Sequence, residues 1–255
     1  MFKWPPLLLI FLSLSQLLHA QPPEGARGAF RPWSVGGFVM TDSQPYRGAD
    51  GIVRVLPFVS YQGRAVDWYG PFVRYRHPLG EGWTLSVRGT LDFGAYEEDD
   101  AEILSGLGDR RHTFLLGAGL EKRLGTAWSA SFHVDRDVLG RHDGTEAVAG
   151  VNRRIGHPRA PFSANFGGGV RFQDDRWTRD RVGVPADKAR ADRPAYSPGS
   201  SFHPYVSTMV IYRVTERWVT TLGLRYEWLD DTWQDSPLVS DRGRLTSMVT
   251  LSRSF

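Results

Sequence analysis

The chain has 255 residues, a formal net charge of +3 at pH 7 and no cysteine. The lack of cysteine excludes disulfides, thiolate metal sites and cysteine nucleophiles, and the small net charge predicts no nucleic-acid partner. Hydrophobic residues make up 41% of the chain, and beyond the N-terminus no apolar run is long enough for a membrane-spanning helix.

The first twenty residues have the features of a secretory signal peptide. Lys3 is their only formally charged residue, residues 7–18 form a short apolar core, and Leu18-His19-Ala20 is an acceptable cleavage site. The alternative, an uncleaved membrane anchor, is disfavoured because the apolar core is short. No cysteine follows the cleavage site, so the chain is not expected to be a lipoprotein.

Most of the remaining chain consists of segments in which apolar and polar residues alternate. Successive strand side chains point to opposite faces, so each segment predicts a strand with one apolar and one polar face. In residues 162–173, for example, Phe166 and Val170 lie on the apolar face, whereas Asn165 and Arg171 lie on the polar face. These segments are long enough to cross a bilayer as tilted strands. They are residues 33–41, 51–61, 64–77, 83–94, 111–123, 127–138, 145–156, 161–174, 203–214, 217–229 and 244–255.

The segment 64–77 decides the number of strands, because eleven segments are an odd number and bacterial barrels have an even one. Its apolar residues occupy even positions at Val66 and odd positions from Val73, so the phase reverses at Gly70-Pro71. A bulge at this point, with residues 33–41 too short to span, gives ten strands. A turn gives twelve, which we predict. The two strands are then 64–69 and 72–78.

Short and long connections alternate along the chain. The turn at Gly125-Thr126 is short, whereas residues 94–110, 175–201 and 230–242 are long and rich in Asp, Arg, Gly and Pro; residues 139–144 are a short exception on the long-loop side. This alternation is typical of a bacterial outer-membrane barrel.

A soluble β-sandwich would bury the apolar faces, whereas a membrane barrel turns them toward lipid. Aromatic residues mark the segment ends, as at Trp83 and Phe93 or Trp218 and Trp228, in the manner of interface girdles. Backbone polar groups in lipid require a closed sheet, which explains strands without helices. We therefore predict an all-β, transmembrane antiparallel barrel as a single domain over residues 21–255, after a signal peptide over residues 1–20.

Four stretches and the C-terminus resemble a known family. The stretches are PYRGADGIVRVLPFVSYQG (45–63), LSGLGDRRHTFLLGAGLEKRLG (104–125), PAYSPGSSF (194–202) and DSPLVSDRG (235–243). The chain ends LTSMVTLSRSF, similar to the C-terminal strand signal of outer-membrane barrels except at Arg253, where an aromatic residue is usual. Together they resemble the MipA/OmpV family of outer-membrane proteins over essentially the whole mature chain.

This resemblance implies location in the outer membrane of a Gram-negative bacterium. For the family's namesake it implies a scaffold that joins a lytic transglycosylase to a bifunctional penicillin-binding protein during growth of the murein sacculus. Other members are associated with adhesion or antibiotic sensitivity. The resemblance brings no catalytic residues with it, and fold alone does not fix function.

His133, Asp135 and Asp137 share the polar face of one strand. An Asp–His pair is able to activate water, but same-face neighbours on a strand lie about 6.5 to 7 Å apart, too far for a direct bond without bent side chains. A solvated or ion-paired ladder is the favoured interpretation. We predict no enzyme activity and no catalytic, cofactor-binding or metal site.

The inward-facing charges allow two interpretations. Arg88, Arg171, Arg225, Glu121 and Glu227 are expected to point into the lumen, where they form either a charge-selective pore or a pairing network that closes it. The mixed signs and the limited width of a twelve-stranded barrel favour the network.

The longest loop is the predicted contact with lipopolysaccharide. Its charged residues are expected at the surface, where the basic ones meet lipid phosphates, although a simply solvated loop is equally consistent. They include Arg176, Arg179, Arg181, Asp187, Arg190 and Arg193. The resemblance implies a scaffold for murein hydrolase and synthase that is surrounded by outer-membrane lipid. The alternatives are a small diffusion channel, a surface adhesin or, least favoured, a barrel hydrolase.

Overall fold

The computed structural model describes residues 32–92, 96–157 and 160–255, so the predicted signal peptide lies outside the described residues. Twelve antiparallel strands form a closed barrel, in which β1 pairs with β12, as predicted. The strands are β1 (Trp33–Asp42), β2 (Ile52–Gln62), β3 (Val66–Tyr69), β4 (Phe72–Gly80), β5 (Trp83–Asp92), β6 (Thr113–Leu124), β7 (Trp128–Asp137), β8 (Thr145–Ile155), β9 (Phe162–Gln173), β10 (Ser201–Arg213), β11 (Trp218–Trp228) and β12 (Gly243–Ser254). Among the described residues, none of the helices combines the length and apolar character needed to cross a bilayer.

The turn at Gly70-Pro71 separates β3 from β4 and confirms the count of twelve. Tyr69 pairs with Phe72 across it. Gly70 has φ of 55°, in the left-handed region that glycine adopts without a steric cost. The reversal of phase in the sequence is therefore the mark of a tight turn.

The proline in the middle of β2 lies at an unpaired edge. β3 pairs with β2 only from Ser60 to Gln62, and the last backbone contact on that side joins Gly70 N–H to Val59 O. By strand alternation the backbone groups of Val55 and Pro57 point to the same side, where the described residues offer no strand partner. A proline has no N–H to leave unsatisfied, so this edge tolerates it.

The barrel is apolar outside, as the alternation predicts, and most of its inward-facing charged residues are buried. The lumen also contains a buried apolar cluster, formed by Phe38, Met40, Leu56, Phe58, Tyr69, Phe72 and Met248. Phe166 and Leu222 on the outer surface are 48% and 40% exposed, whereas the inward Arg88 is 3% exposed. The Trp33 ring centroid lies 4.9 Å from that of Tyr61 and 6.1 Å from that of Trp68. These rings form part of an aromatic belt at the end of the barrel where β1 begins and β12 ends. Short turns lie at this end, which is the periplasmic end by the pattern of outer-membrane barrels.

The long loops at the opposite, outer end fold over the barrel and share a small hydrophobic core. We call these loops, residues 43–51, 96–112, 174–200 and 229–242, the outer cap. The cap contains two helices, α1 (Asp175–Val182) and α2 (Asp231–Gln234), which the sequence analysis missed. Its buried core is formed by Tyr46, Tyr96, Ala101, Ile103, Leu104, Leu107, Val182, Val184, Leu229, Trp233, Leu238 and Val239.

Candidate functional site in the barrel lumen

A layer of buried ion pairs crosses the outer half of the lumen. The contacts are Arg88 Nε–Asp135 Oδ1 at 3.1 Å, Arg171 Nε–Glu146 Oε2 at 3.4 Å, Arg171 Nε–Glu227 Oε1 at 3.2 Å and Arg225 Nη2–Glu227 Oε1 at 3.3 Å. All six side chains are buried. Four of the five charged residues predicted to form a pairing network therefore do so.

Tyr205 forms the periplasmic side of this layer. The guanidinium of Arg225 lies 3.8 Å from the Tyr205 ring centroid, a cation–π contact that is strong when desolvated. The ring lies across β8 and β9, where Gly150 and Gly169 leave room for it. A Cβ at these positions would approach Tyr205 Oη to 2.4 Å and 2.7 Å, so glycine at both avoids a clash with the ring hydroxyl.

The three acid and imidazole groups on β7 do not form one hydrogen-bonded cluster. His133 Nε2 lies 3.6 Å from Asp135 Oδ2, beyond hydrogen-bond length. Asp137 instead accepts hydrogen bonds from the N–H groups of Leu139 at 2.9 Å and His142 at 2.7 Å, and so orders the β7–β8 loop. The lack of a catalytic site remains a prediction.

His133, Asp135 and Glu146 also present ligand atoms that all lie within 4.8 Å of one another. Arg88 and Arg171 pair with the two carboxylates. A divalent cation at this point would meet two guanidinium groups at close range, so the geometry favours ion pairing over metal binding.

The outer cap is joined to the barrel through the buried Arg181. Arg181 binds Asp92 at the end of β5, and Tyr46 Oη donates to Arg181 O at 3.3 Å. Burial raises the pKa of the Tyr46 hydroxyl. Ser236 Oγ donates to Val182 O at 2.7 Å. The cap therefore packs as one unit over the lumen.

Arg181 and Arg193 correct the prediction that the arginines of the longest loop lie at the surface. Arg193 is 2% exposed, and its guanidinium donates to Ile103 O at 2.6 Å, Ser105 O at 2.9 Å and Lys188 O at 2.8 Å. A guanidinium has five donors, and three loop carbonyls are satisfied here by one side chain. Alternation and composition gave no signal for this role, because it depends on loop backbone geometry.

His142 joins the β7–β8 loop to α1. Its Nδ1 accepts the Gly144 N–H at 3.0 Å, and its ring meets the Trp177 ring edge-on at 4.6 Å. Burial lowers the pKa of His142, and the neighbouring Arg181 lowers it further. The neutral imidazole is the form that fits this loop.

A cavity remains between the cap and the ion-pair layer. Its empty volume is about 740 Å³, part of which is open solvent. Its walls include Tyr46, Arg88, Glu146, Arg171, Arg181 and Trp233. Acidic and basic groups both contribute, so the cavity has no marked charge preference.

Along β5 to β10, the periplasmic half of the lumen is lined by small polar residues that solvent partly reaches. On β2 to β4 and β12, by contrast, Ser60, Asp67, Arg74 and Ser252 are buried. The partly exposed lining residues are Ser86, Gly117, Gly119, Ser129, Ser131, Gly150, Asn152, Asn165, Gly167 and Ser207. Glu121, the fifth predicted luminal charge, lies here in the field of Arg74, Arg76, Arg123 and Arg154. We call this half the vestibule.

A closed antiparallel barrel with an apolar outside and a charged inside is the architecture of a bacterial outer-membrane protein. A family model described as MltA-interacting protein MipA matches residues 35–255, so the chain belongs to that family. Outer membrane protein Omp26La of Vibrio anguillarum is 26% identical, over 87% of this chain and 85% of that protein. Outer membrane protein OmpV of Vibrio cholerae is 25% identical over 63% of this chain, and the match spans 62% of OmpV.

The solved structure of Pseudomonas putida OprB is similar with a TM-score of 0.43 and 9% identity, over 89% of this chain and 94% of that one. The relatives and the barrel together place this protein in the outer membrane of a Gram-negative bacterium.

Proposed function

We propose that this protein is a non-enzymatic outer-membrane scaffold whose periplasmic end binds murein-remodelling enzymes. The observation that carries the proposal is the asymmetry of the lumen. Its outer half contains buried ion pairs beneath the cap core, whereas its periplasmic half is partly exposed along β5 to β10. A barrel built in this way suits the display of a periplasmic surface better than the passage of solutes.

The family name supports the identity of one partner. The matching model is described as MltA-interacting protein, and a lytic transglycosylase is the partner that this name implies. The penicillin-binding protein is the further partner that we propose for the same scaffold.

Co-purification tests the scaffold directly. Detergent-solubilised protein with an affinity tag is incubated with the purified lytic transglycosylase of the same organism, and retention of the enzyme is measured. We expect retention that is reduced when Arg64 and Arg217, exposed in two periplasmic turns, are replaced by glutamate. The matched control is Arg179→Glu in the cap, which is expected to leave retention unchanged. Absence of retention by the unmodified protein contradicts the proposal.

A small diffusion channel is the second candidate, favoured by the cavity beneath the cap. Single-channel recording in planar bilayers separates the two functions. The scaffold predicts no steady conductance from the unmodified protein, because the ion-pair layer lies across the lumen. A stable ohmic conductance would establish the channel instead.

A further inference from the structure

We propose that the vestibule binds an extended acidic polypeptide segment of a periplasmic partner. This inference rests on the proposed function, because it assigns a chemistry to the partner of the same periplasmic end. It depends on three properties of the vestibule: its access, its charge and its lining.

Among the described residues, the partly exposed lining of the vestibule lies toward the periplasmic end. Its luminal side chains, such as Ser86, Ser131 and Asn152, are partly exposed, whereas the luminal Asp135 and Glu146 further along β7 and β8 are buried. The barrel wall separates it from lipid. A ligand therefore enters from the end that carries the short turns.

The charge of the vestibule is positive. Asp67 is already held by Arg74 at 2.9 Å and by Arg76 at 2.7 Å. Glu121 is then the acid that faces Arg123 and Arg154. Four arginines and two acids leave an excess of two positive charges in a space with low-dielectric walls, which concentrates the field on an entering anion.

The cations on the outside of the same strands have a different role. Lys122 Nζ lies 4.8 Å from the ring centroid of Trp83, and the Arg153 guanidinium lies 5.5 Å from that of Trp128. These cations stand in the aromatic belt, where long basic side chains reach toward the lipid interface. Each is the direct chain neighbour of a vestibule arginine and points to the opposite face.

The lining of the vestibule suits a polypeptide. Serine and asparagine side chains such as Ser86, Ser131 and Asn152 are partly exposed and offer donors and acceptors to a peptide backbone. Lipid headgroups do not reach this surface, because the barrel wall encloses it. Acidic side chains along the segment are the groups that the arginines bind, with paired hydrogen bonds to carboxylate.

The test measures binding of a fluorescent oligoglutamate peptide to the full-length mature protein in lipid nanodiscs, by anisotropy and without any enzyme. The test variant is Arg123→Gln with Arg154→Gln, and the control is Lys122→Gln with Arg153→Gln. Both remove two charges from the same two strands at adjacent positions. Heat-dependent gel mobility shows that each barrel is folded.

We expect the inward pair to weaken binding about tenfold and the outward pair less than about twofold, with an effect that declines as salt is raised. Equal weakening by both variants would place the peptide on the rim and overturn the proposal. So would the absence of binding by the unmodified protein, or binding of a soluble muropeptide but not of oligoglutamate. Because no enzyme is present, failure here is distinct from failure of the co-purification experiment.

Discussion

The two halves of the lumen are built on the same strand faces, yet one is filled and the other is open. Along the inward face of β9, the order from the periplasmic end is Asn165, Gly167, Gly169 and then Arg171. The closed half carries long charged side chains that pair with one another, whereas the lining of the open half along β5 to β10 consists mostly of short side chains. The comparison shows that side-chain size along one face, rather than strand number alone, sets where this barrel is closed.

The closed half depends on complete pairing. Burying a charge is costly unless another charge or a hydrogen bond compensates it. In this layer each carboxylate forms an ion pair with at least one arginine, and Glu227 forms ion pairs with two. Removal of one partner is therefore expected to cost more here than any equivalent change in the vestibule.

The largest expected effect is from Glu227→Gln, which leaves Arg171 and Arg225 with less compensation in a buried site. We expect a loss of about 3 to 5 kcal/mol in the free energy of unfolding, measured by urea titration in lipid vesicles. The control Glu102→Gln changes an exposed acid in the cap. A loss below about 1 kcal/mol would mean that water already enters the ion-pair layer.

The boundary between the halves is tested by Gly150→Ala. The added Cβ lies 2.4 Å from Tyr205 Oη but 3.5 Å from Tyr205 Cζ, so only the hydroxyl is in severe conflict. We expect a loss of about 1 to 3 kcal/mol from overpacking, partly recovered when Tyr205→Phe is added. The free energies of unfolding of the two single variants and the double variant are measured and compared in a double-mutant cycle. Additive losses would show that the ring does not rest on Gly150.

The barrel itself was predictable because alternation records the environment of every strand residue. The phase reversal at Gly70-Pro71 gave the twelfth strand, and the parity of Arg88 and Arg171 gave their inward direction. The pairing partners were not predictable, because Arg171 on β9 meets Glu227 on β11 across β10, and this contact depends on the register of the three strands. Arg253 is another case: it lies 5.3 Å from the Phe255 ring centroid, a contact that explains its tolerance in the terminal strand.

The outer cap is the part that the sequence predicted least well. Its loops are polar on average, and the residues of its core are scattered over four separate loops, from Tyr46 to Val239. No periodic pattern relates residues that meet only through tertiary packing. The burial of Arg193 was missed for the same reason.

The cap is tested by Arg193→Gln, which removes donors from the carbonyls of Ile103, Ser105 and Lys188. We expect the free energy of local unfolding of the cap to fall by about 1 to 3 kcal/mol. This loss would be measured as faster hydrogen exchange in residues 96–112. Arg179→Gln, at an exposed pair with Asp175, is the control and is expected to have little effect. If conductance stays absent in Arg193→Gln, the ion-pair layer closes the lumen without the cap; if it rises, the cap is the barrier.

The smallest expected effect is a pH dependence at the junction of cap and barrel. The folded loop holds His142 neutral, with its pKa lowered by burial and by Arg181. A histidine in the unfolded chain has a pKa of about 6.5. Because the folded value lies below the unfolded one, the stability from neutral His142 is complete above that pH and declines as the pH falls through it. Protonation at Nδ1 also removes the acceptor for Gly144 N–H. Hydrogen exchange of residues 138–145 should therefore be faster at pH 5 than at pH 7.5, after correction for the intrinsic exchange rate. The variant His142→Gln should abolish this difference. A difference that survives in His142→Gln would assign the titration to another group.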